Sequence, residues 1–289
     1  MDGDLGDFLR SRRARIRPEE VGLPSHGRRR VPGLRREEVA QLAGVSVDYY
    51  VRLEQGRGPG GPSRTKTGGV SDAVLDALAR VLRLDETEHA YLRAVARPRR
   101  QPGRPPAPRV RPGVQLLLDS MDRTPAFVLD RRMDVLAWNA LGNALFGYDG
   151  TPPEARNVPR RIFLDPAART LYPEWHAVAV QSVAYLRMLA GHHQDDRGLT
   201  SLVGELSLKS EDFRRLWADH PVAECAYGVK RVQHPVAGLL TLPYETLAIS
   251  ASTDQTLLVY TPEPGSETEE RLALLGSWTS AVPEATERA

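Results

Sequence analysis

The stretch LRREEVAQLAGVSVDYYVRLEQG, residues 34–56, carries more structural information than any other part of the chain. Counted from Arg36, it places apolar Val39 fourth and small Ala40 fifth, Gly44 ninth, and Tyr50 and Leu53 fifteenth and eighteenth. Two short helices that cross closely impose these demands. The fifth side chain must be small because the second helix passes over it. The ninth must accept a left-handed backbone in a three-residue turn, which glycine does without steric cost. The remaining apolar positions form the seam between the helices, and Ser46 is placed to cap the second one. The pattern therefore reads as a helix-turn-helix, with an αα-hairpin packed against other protein as the alternative.

The flanking sequence supplies more helices. Residues 4–15, DLGDFLRSRRAR, set Leu5, Phe8 and Leu9 on one face and arginines on the other. Residues 18–32 are polar and broken by proline and glycine, and residues 56–69, GRGPGGPSRTKTGG, form a loop. Ser71 opens a helix over 71–82, and Asp85 with Glu88 makes a capping-box pattern before 85–95. The expectation is an all-α five-helix domain over residues 1–97. A Pro/Arg-rich linker follows at 98–113, where repeated prolines remove donors and favour an extended chain.

Charge divides the 289 residues in the same place. Residues 1–112 hold 23 Lys+Arg against 14 Asp+Glu, and residues 113–289 hold 16 against 23, so a net charge of +2 hides a basic front and an acidic back. Nearly all the basic residues are arginine, which suits bidentate phosphate and guanine contacts; codon bias in a GC-rich genome is the plainer reading of that ratio, but it does not account for the clustering. The single cysteine, Cys225, excludes an internal disulfide and a cysteine metal cluster. No apolar run reaches the ~18–20 residues of a membrane helix, and the N-terminus lacks a signal-peptide core. The expected setting is cytoplasmic, with no membrane partner.

A basic helix-turn-helix points to double-stranded DNA. Its second helix, residues 46–55, would enter the major groove by its N-terminal turn. Ser46, Val47, Asp48, Tyr49, Val51 and Arg52 are expected to face outward. Val47 suits thymine methyl groups and Asp48 a cytosine amino group. Ser46 and Tyr49 suit phosphate or sugar. Arg52 could reach DNA or brace Glu54. Arg35 and Arg36 open the preceding helix, where phosphate contacts are favoured. Arg28, Arg29 and Arg30 read as a backbone or minor-groove arm, or as a solvated loop.

The second half, residues 114–282 ahead of a disordered 283–289 tail, reads as α+β. Ala126–Leu129 and Val135–Trp138 are strands about a turn at Asp130–Arg131, and Asn139 can cap the helix after them. Helices are expected over 171–190, 197–206 and 210–218. Three antiparallel strands follow in CAYGVKRVQHPVAGLLTLPYETLAI and QTLLVYTPEPGS. The total is a five-stranded antiparallel, PAS-like sheet with helices inserted after its second strand.

VAQLAGVSVDYYVRLEQGR and VLDALARVLRLDETE resemble the phage-repressor/Cro-like (XRE) family of helix-turn-helix regulators. PGLRREEVAQLAGVS resembles its MmyB-like branch, and LVGELSLKSEDFRRLWADH, KRVQHPVAGLLTLPYETL and VYTPEPGS resemble that branch's C-terminal ligand-binding domain. One departure is the long loop after the second motif helix, with Arg64 and Lys66, which either adds a phosphate contact or is disordered. The resemblance implies a transcription regulator that senses a small apolar or amphiphilic ligand such as a fatty acid. Phe127, Trp138, Phe146, Phe163, Trp175, Ala179, Val183, Trp217 and Tyr244 are the candidate cavity lining, or simply core, and Arg187 could anchor a carboxylate at the mouth or pair at the surface.

No nucleophile elbow, phosphate-cradling loop or zinc-hydrolase motif is present, so no enzyme and no cofactor are expected. His192 and His193 are adjacent without a third spaced ligand, so no metal is expected either. His234, before Pro235, reads as a strand-end structural residue. A homodimer reading two half-sites is expected. A DNA-bound dimerisation scaffold, or an enzyme fused to a DNA-binding domain, is the alternative.

Overall fold

The computed structural model describes residues 4–23, 33–55, 70–97, 109–224, 226–250 and 255–281. Arg28–Arg30, Arg64, Lys66, most of the linker and the tail lie outside these residues. The chain divides into two compact units. One takes the described residues of Met1–Pro102 with Arg187–Thr200 and Arg215–Glu224; the other takes those of Gly103–Leu186, Ser201–Arg214 and Cys225–Ala289.

In the first unit the five expected helices form: α1 (Asp4–Arg15), α2 (Arg36–Leu42), α3 (Val47–Glu54), α4 (Asp72–Val81) and α5 (Glu86–Ala96), with a 3-10 turn at Pro18–Val21. The local chemistry sets each boundary. Gly44 turns the chain at φ +68°, and Val45 N donates to Ala40 O at 3.0 Å, closing α2. Ser46 Oγ accepts from Tyr49 N and Ser71 Oγ from Val74 N, while Asp85 and Glu88 cap α5 reciprocally. Phe8, Leu9, Leu34, Val39, Ala40, Tyr50 and Leu92 are fully buried in one core. Ala40 is small where the helices cross, and Gly6 is small for a similar reason. A Cβ there would stand 2.2 Å from the Glu54 carbonyl oxygen, so α1 and the end of α3 meet backbone to backbone.

The second unit is built on a five-stranded antiparallel sheet: β1 (Ala126–Leu129), β2 (Val135–Trp138), β3 (Tyr227–His234), β4 (Gly238–Ala248) and β5 (Thr256–Tyr260), in the order β2-β1-β5-β4-β3. The expected α+β, PAS-like arrangement is present. β1 is buried on both faces. Phe127 and Leu129 join Leu242, Tyr244, Leu258 and Tyr260 on one side. Ala126 and Val128 join Leu118, Leu257 and Val259 on the other. Between β2 and β3 the chain forms α7 (Ala140–Phe146), α8 (Val158–Leu164), α9 (Ala168–Leu171), α10 (Trp175–His192), α11 (Arg197–Lys209) and α12 (Glu211–Ala218), the last three passing segments to the first unit.

Asn139 does more than cap α7. Its Oδ1 accepts from Gly142 N at 2.8 Å and Ala126 N at 3.0 Å, while Nδ2 donates to the Met121 and Thr124 carbonyls. One buried amide thus ties the helix to the start of β1.

Three local readings need correction. The turn expected at Asp130–Arg131 runs to Asp134, because Asp130 Oδ1 accepts from both Arg132 N and Asp134 N and holds a wider loop with Met133 at φ +62°. The expected linker ends early, since Pro112 and Gly113 begin a helix, α6 (Pro112–Asp119), whose first turn needs no proline N–H. A C-terminal helix, α13 (Glu267–Ala281), was not expected; it is fastened to β4 by Thr241 N donating to Thr268 Oγ1 at 3.0 Å and Arg271 to Leu239 O at 2.6 Å.

Candidate DNA-reading face and ligand cavity

The first turn of α3 is presented to solvent. Val47 is 40% exposed, and Ser46, Asp48 and Arg52 are exposed, whereas Tyr50 and Leu53 are buried beneath them. Val51 is half-buried, and Tyr49 leans on the core with burial raising its phenol pKa. Arg35 and Arg36 are exposed at the start of α2. Backbone N–H groups of helix starts and a set of guanidinium groups suit phosphates, and the α3 turn suits base edges.

Beneath this face lies a charged network that the sequence reading missed. The Glu54 carboxylate is wholly enclosed at the end of α3. It accepts from Arg13 Nε of α1 at 2.6 Å and from Arg36 Nε of α2 at 2.6 Å, and Arg13 also donates to Leu34 O at 2.7 Å. Burial works to raise the Glu54 pKa, but the two arginines outweigh it and hold the carboxyl below its ordinary value. The brace on Glu54 is therefore Arg13 and Arg36. Arg52 instead turns its Nε to the Asp48 carbonyl at 3.3 Å. Arg36, read as a phosphate contact, has one donor committed to Glu54, and its side chain is still 43% exposed.

The second unit holds two adjoining spaces. An inner chamber of about 60 Å³ lies between the sheet and α10, bounded by Phe127, Phe146, Tyr148, Tyr172, Tyr244 and Tyr260, with Val178, Gln181, Ser182 and Tyr185 from α10. An outer cleft of about 500 Å³ is bounded by α7, α8, α9 and the β3–β4 turn, and shares Phe146, Tyr148, Val158 and Tyr172 with the chamber. The phenols are deep: burial pushes Tyr148 up to about 12 and Tyr260 well above its ordinary value. Lys230 Nζ stands 4.9 Å from the centre of the Tyr244 ring.

Of the expected lining, Phe127, Phe146 and Tyr244 bound the chamber. The others go elsewhere. Phe163 and Trp175 pack edge-to-face with each other, and Phe163 with Phe213, in an aromatic core. Trp138 lies against Tyr148 and donates Nε1 to Asp149 at 2.8 Å. Ala179 and Val183 are fully buried, one helical step away from the chamber face. Arg187 and Trp217 belong to the other unit, where the guanidinium is 3.9 Å from the ring centre and donates to the Trp217 carbonyl. A buried arginine stacked on Trp217 stands in place of the expected mouth anchor.

His234 is occupied structurally: Nδ1 accepts from Val236 N and Ala237 N, and Nε2 meets the Ala144 carbonyl at 3.2 Å. His192 meets the Met188 carbonyl at 2.8 Å. Among the described residues no group of three His, Cys, Asp or Glu side chains is arranged to hold a metal, and no helix is long and apolar enough to cross a membrane.

A helix-turn-helix with an exposed second helix, joined to a sheet-and-helix unit enclosing a cavity, defines a ligand-responsive transcription regulator. Comparison with known families agrees. The MmyB-like transcription regulator ligand binding domain matches residues 110–275, and a helix-turn-helix domain matches residues 4–92. The chain belongs to the MmyB-like transcription regulator family. No curated relative matches it.

Proposed function

We propose that this chain is a sequence-specific, double-stranded-DNA-binding regulator whose C-terminal cavity takes a small apolar or amphiphilic ligand such as a fatty acid, and which works as a homodimer in the cytoplasm without catalysing a reaction. The observation that carries the DNA-binding half is the α3 first turn, with Val47 and Asp48 exposed above a fully buried seam. In this reading Ser46, Val47, Asp48 and Tyr49 meet the groove, Val51 and Arg52 flank it, and Arg35 and Arg36 hold phosphates. Arg28–Arg30 add a backbone or minor-groove arm. The ligand half is supported by the chamber and cleft, whose walls combine aliphatic and aromatic side chains with a few polar groups, as small-molecule sites do.

Affinity selection of random DNA by the full chain, with and without a cell lipid extract, tests both halves. A single enriched sequence is expected, with binding that weakens by a log–log salt slope of ~−0.9 per phosphate neutralised. The extract should shift operator affinity, because a ligand acts only through differential affinity for two states. Enrichment of no sequence would remove the first half of the proposal. Operator affinity indifferent to every extract fraction would remove the second.

A further inference from the structure

The sheet of the second unit ends on β3, and the backbone bonds around it fix which of its groups face outward. Thr246 N donates to Ala226 O at 2.7 Å, and the β3–β4 register then runs unbroken from Tyr227 opposite Glu245 to His234 opposite Gly238. In an antiparallel pair, alternate residues turn both backbone groups toward the partner strand. The even-numbered residues of β3 therefore bond β4, and Tyr227, Val229 and Arg231 turn their N–H and C=O groups to the open side. The far side of β4 keeps the same alternation: Thr241 N donates to Thr268 Oγ1, and Pro243 O accepts from Thr261 N. Among the described residues, nothing bonds the outward backbone groups of Tyr227, Val229 and Arg231.

Proteins blunt such an edge with a proline, a bulge, a very short strand or an outward lysine. β3 has eight residues, no proline and no bulge. Its lysine, Lys230, lies on the chamber side, with Nζ against the Tyr244 ring. On the opposite face Tyr227 is 74% exposed and Val229 60%. Arg231 shares that face and spends Nη1 on Glu174 at 3.2 Å, in a pair open to solvent on both sides. Glu245, across from Tyr227, is exposed, and its carboxylate has no ion-pair partner among the described residues.

We propose that the open edge of β3 is the dimerisation surface, and that a second copy of this chain adds its own β3 antiparallel to it about a two-fold axis at Val229. This rests on the homodimer reading above and names its surface. The edge itself dictates the register. Only outward-turned residues exchange backbone bonds, so odd-numbered residues must meet odd-numbered ones. An axis at Lys230 or Arg231 would set like charges opposite each other, which is destabilising. An axis at Tyr227 or Gly228 would run the pairing past the start of β3. With Val229 on the axis, Val229 meets the partner's Val229, and Tyr227 meets the partner's Arg231. The Arg231 side chain then crosses the partner's Tyr227 ring toward the partner's Glu245, a cation over an aromatic face with a carboxylate beyond it. Each copy supplies both halves of that contact, as a two-fold interface requires.

Sedimentation equilibrium of the full chain, joined to cysteine cross-linking, tests the surface. Residues that exchange both backbone bonds stand ~5.5 Å apart at Cα, inside the ~4.4–6.8 Å span of a disulfide. In a Cys225→Ser background, Val229→Cys should give a covalent dimer on mild oxidation. Gln233→Cys in the same background should not, because the two copies of residue 233 would stand ~25 Å apart at ~3.3 Å per residue. Val229→Pro removes a donor that β4 does not use, so it should weaken self-association at least tenfold with the far-UV circular dichroism unchanged. A dimer that forms without the Val229→Cys cross-link, or that Gln233→Cys traps equally well, would overturn the surface and leave the homodimer reading in place. So would a correctly folded Val229→Pro variant that dimerises like the unaltered chain. A chain that stays monomeric at every concentration, alone and on operator DNA, would overturn both.

Discussion

Replacing Glu54 by glutamine tests how the DNA-reading helix is seated. The carboxylate is fully enclosed and bridges Arg13, itself only 11% exposed, to Arg36. Glutamine keeps the volume but offers one acceptor oxygen and turns an N–H₂ toward a cationic donor. The exposed half of the network adds little, ~0–1 kcal/mol for a solvated pair. The Arg13 half is the costly loss, since stripping one partner from a buried ion pair typically costs ~3–5 kcal/mol. Against a total stability of ~5–15 kcal/mol for a domain, and ~4–8 °C per kcal/mol for a unit of this size, the DNA-binding unit should melt more than ~10 °C lower. The pH dependence adds an independent signature. Glu54 has a folded pKa below its ordinary value, so its contribution is present above the ordinary carboxylate range and is lost as pH falls through the folded value. The glutamine variant should lack that acid limb. Hydrogen exchange across residues 34–55, with circular dichroism melts at pH 7 and pH 4, reads both effects. A variant within ~0.5 kcal/mol of wild type at pH 7, with its acid limb intact, would refute the claim that this bridge seats the helix.

Three further outcomes follow from the geometry. Gly6→Ala puts a methyl group 2.2 Å from the Glu54 carbonyl oxygen, so α1 must shift off α3; a loss of at least ~1–3 kcal/mol in chemical denaturation is expected, together with weaker operator binding. Asp130 has its carboxyl pKa raised to about 6, by burial first and by Asp134 next. The stability this group lends is full below the ordinary carboxylate pKa and lost as pH rises through about 6, so Asp130→Asn, which keeps the acceptor for Arg132 N and Asp134 N, should stabilise the second unit by ~1–3 kcal/mol at pH 8 and hardly at pH 4. Substitutions at Val47 or Asp48 should change sequence preference by ~1–3 kcal/mol per base pair, whereas Arg35→Ala should weaken all sequences alike; Arg35 is the cleaner control, because Arg36→Ala also strips Glu54 of a partner.

The helix-turn-helix was legible because its constraints are local. Small Ala40, left-handed Gly44 and capping Ser46 each act within a few residues of themselves, and the backbone obeys them. Glu54 was not legible, because the arginines that make an acid tolerable at a buried helix position come from 18 and 41 residues away. Its only sequence trace is a carboxylate beside Leu53 on the inward side of α3. The helix α13 was overlooked for a related reason. Leu272 and Leu275 pack inward while Leu274 and Trp278 stay exposed, so the apolar residues form no clean stripe to mark a core-facing side.

The cavity shows how a correct element can carry a wrong face. On α10 the aliphatic stripe Ala179, Val183, Leu186 is the most conspicuous 3.6-residue pattern, and it is indeed buried. A helix enclosed on several sides, however, buries more than one stripe. The side turned to the chamber is Val178, Gln181, Ser182, Tyr185, at spacings of three and four residues and half polar. Hydrophobic periodicity selects against such a face, because it scores glutamine, serine and tyrosine as outward. Binding polarity is therefore hidden from a search for apolar stripes in proportion to how well it is enclosed. In a unit of this kind the informative residues are the polar ones that fall inside the buried faces, and Arg161 and Ser182, each with an enclosed atom lacking a partner, are two such residues at the cavity walls.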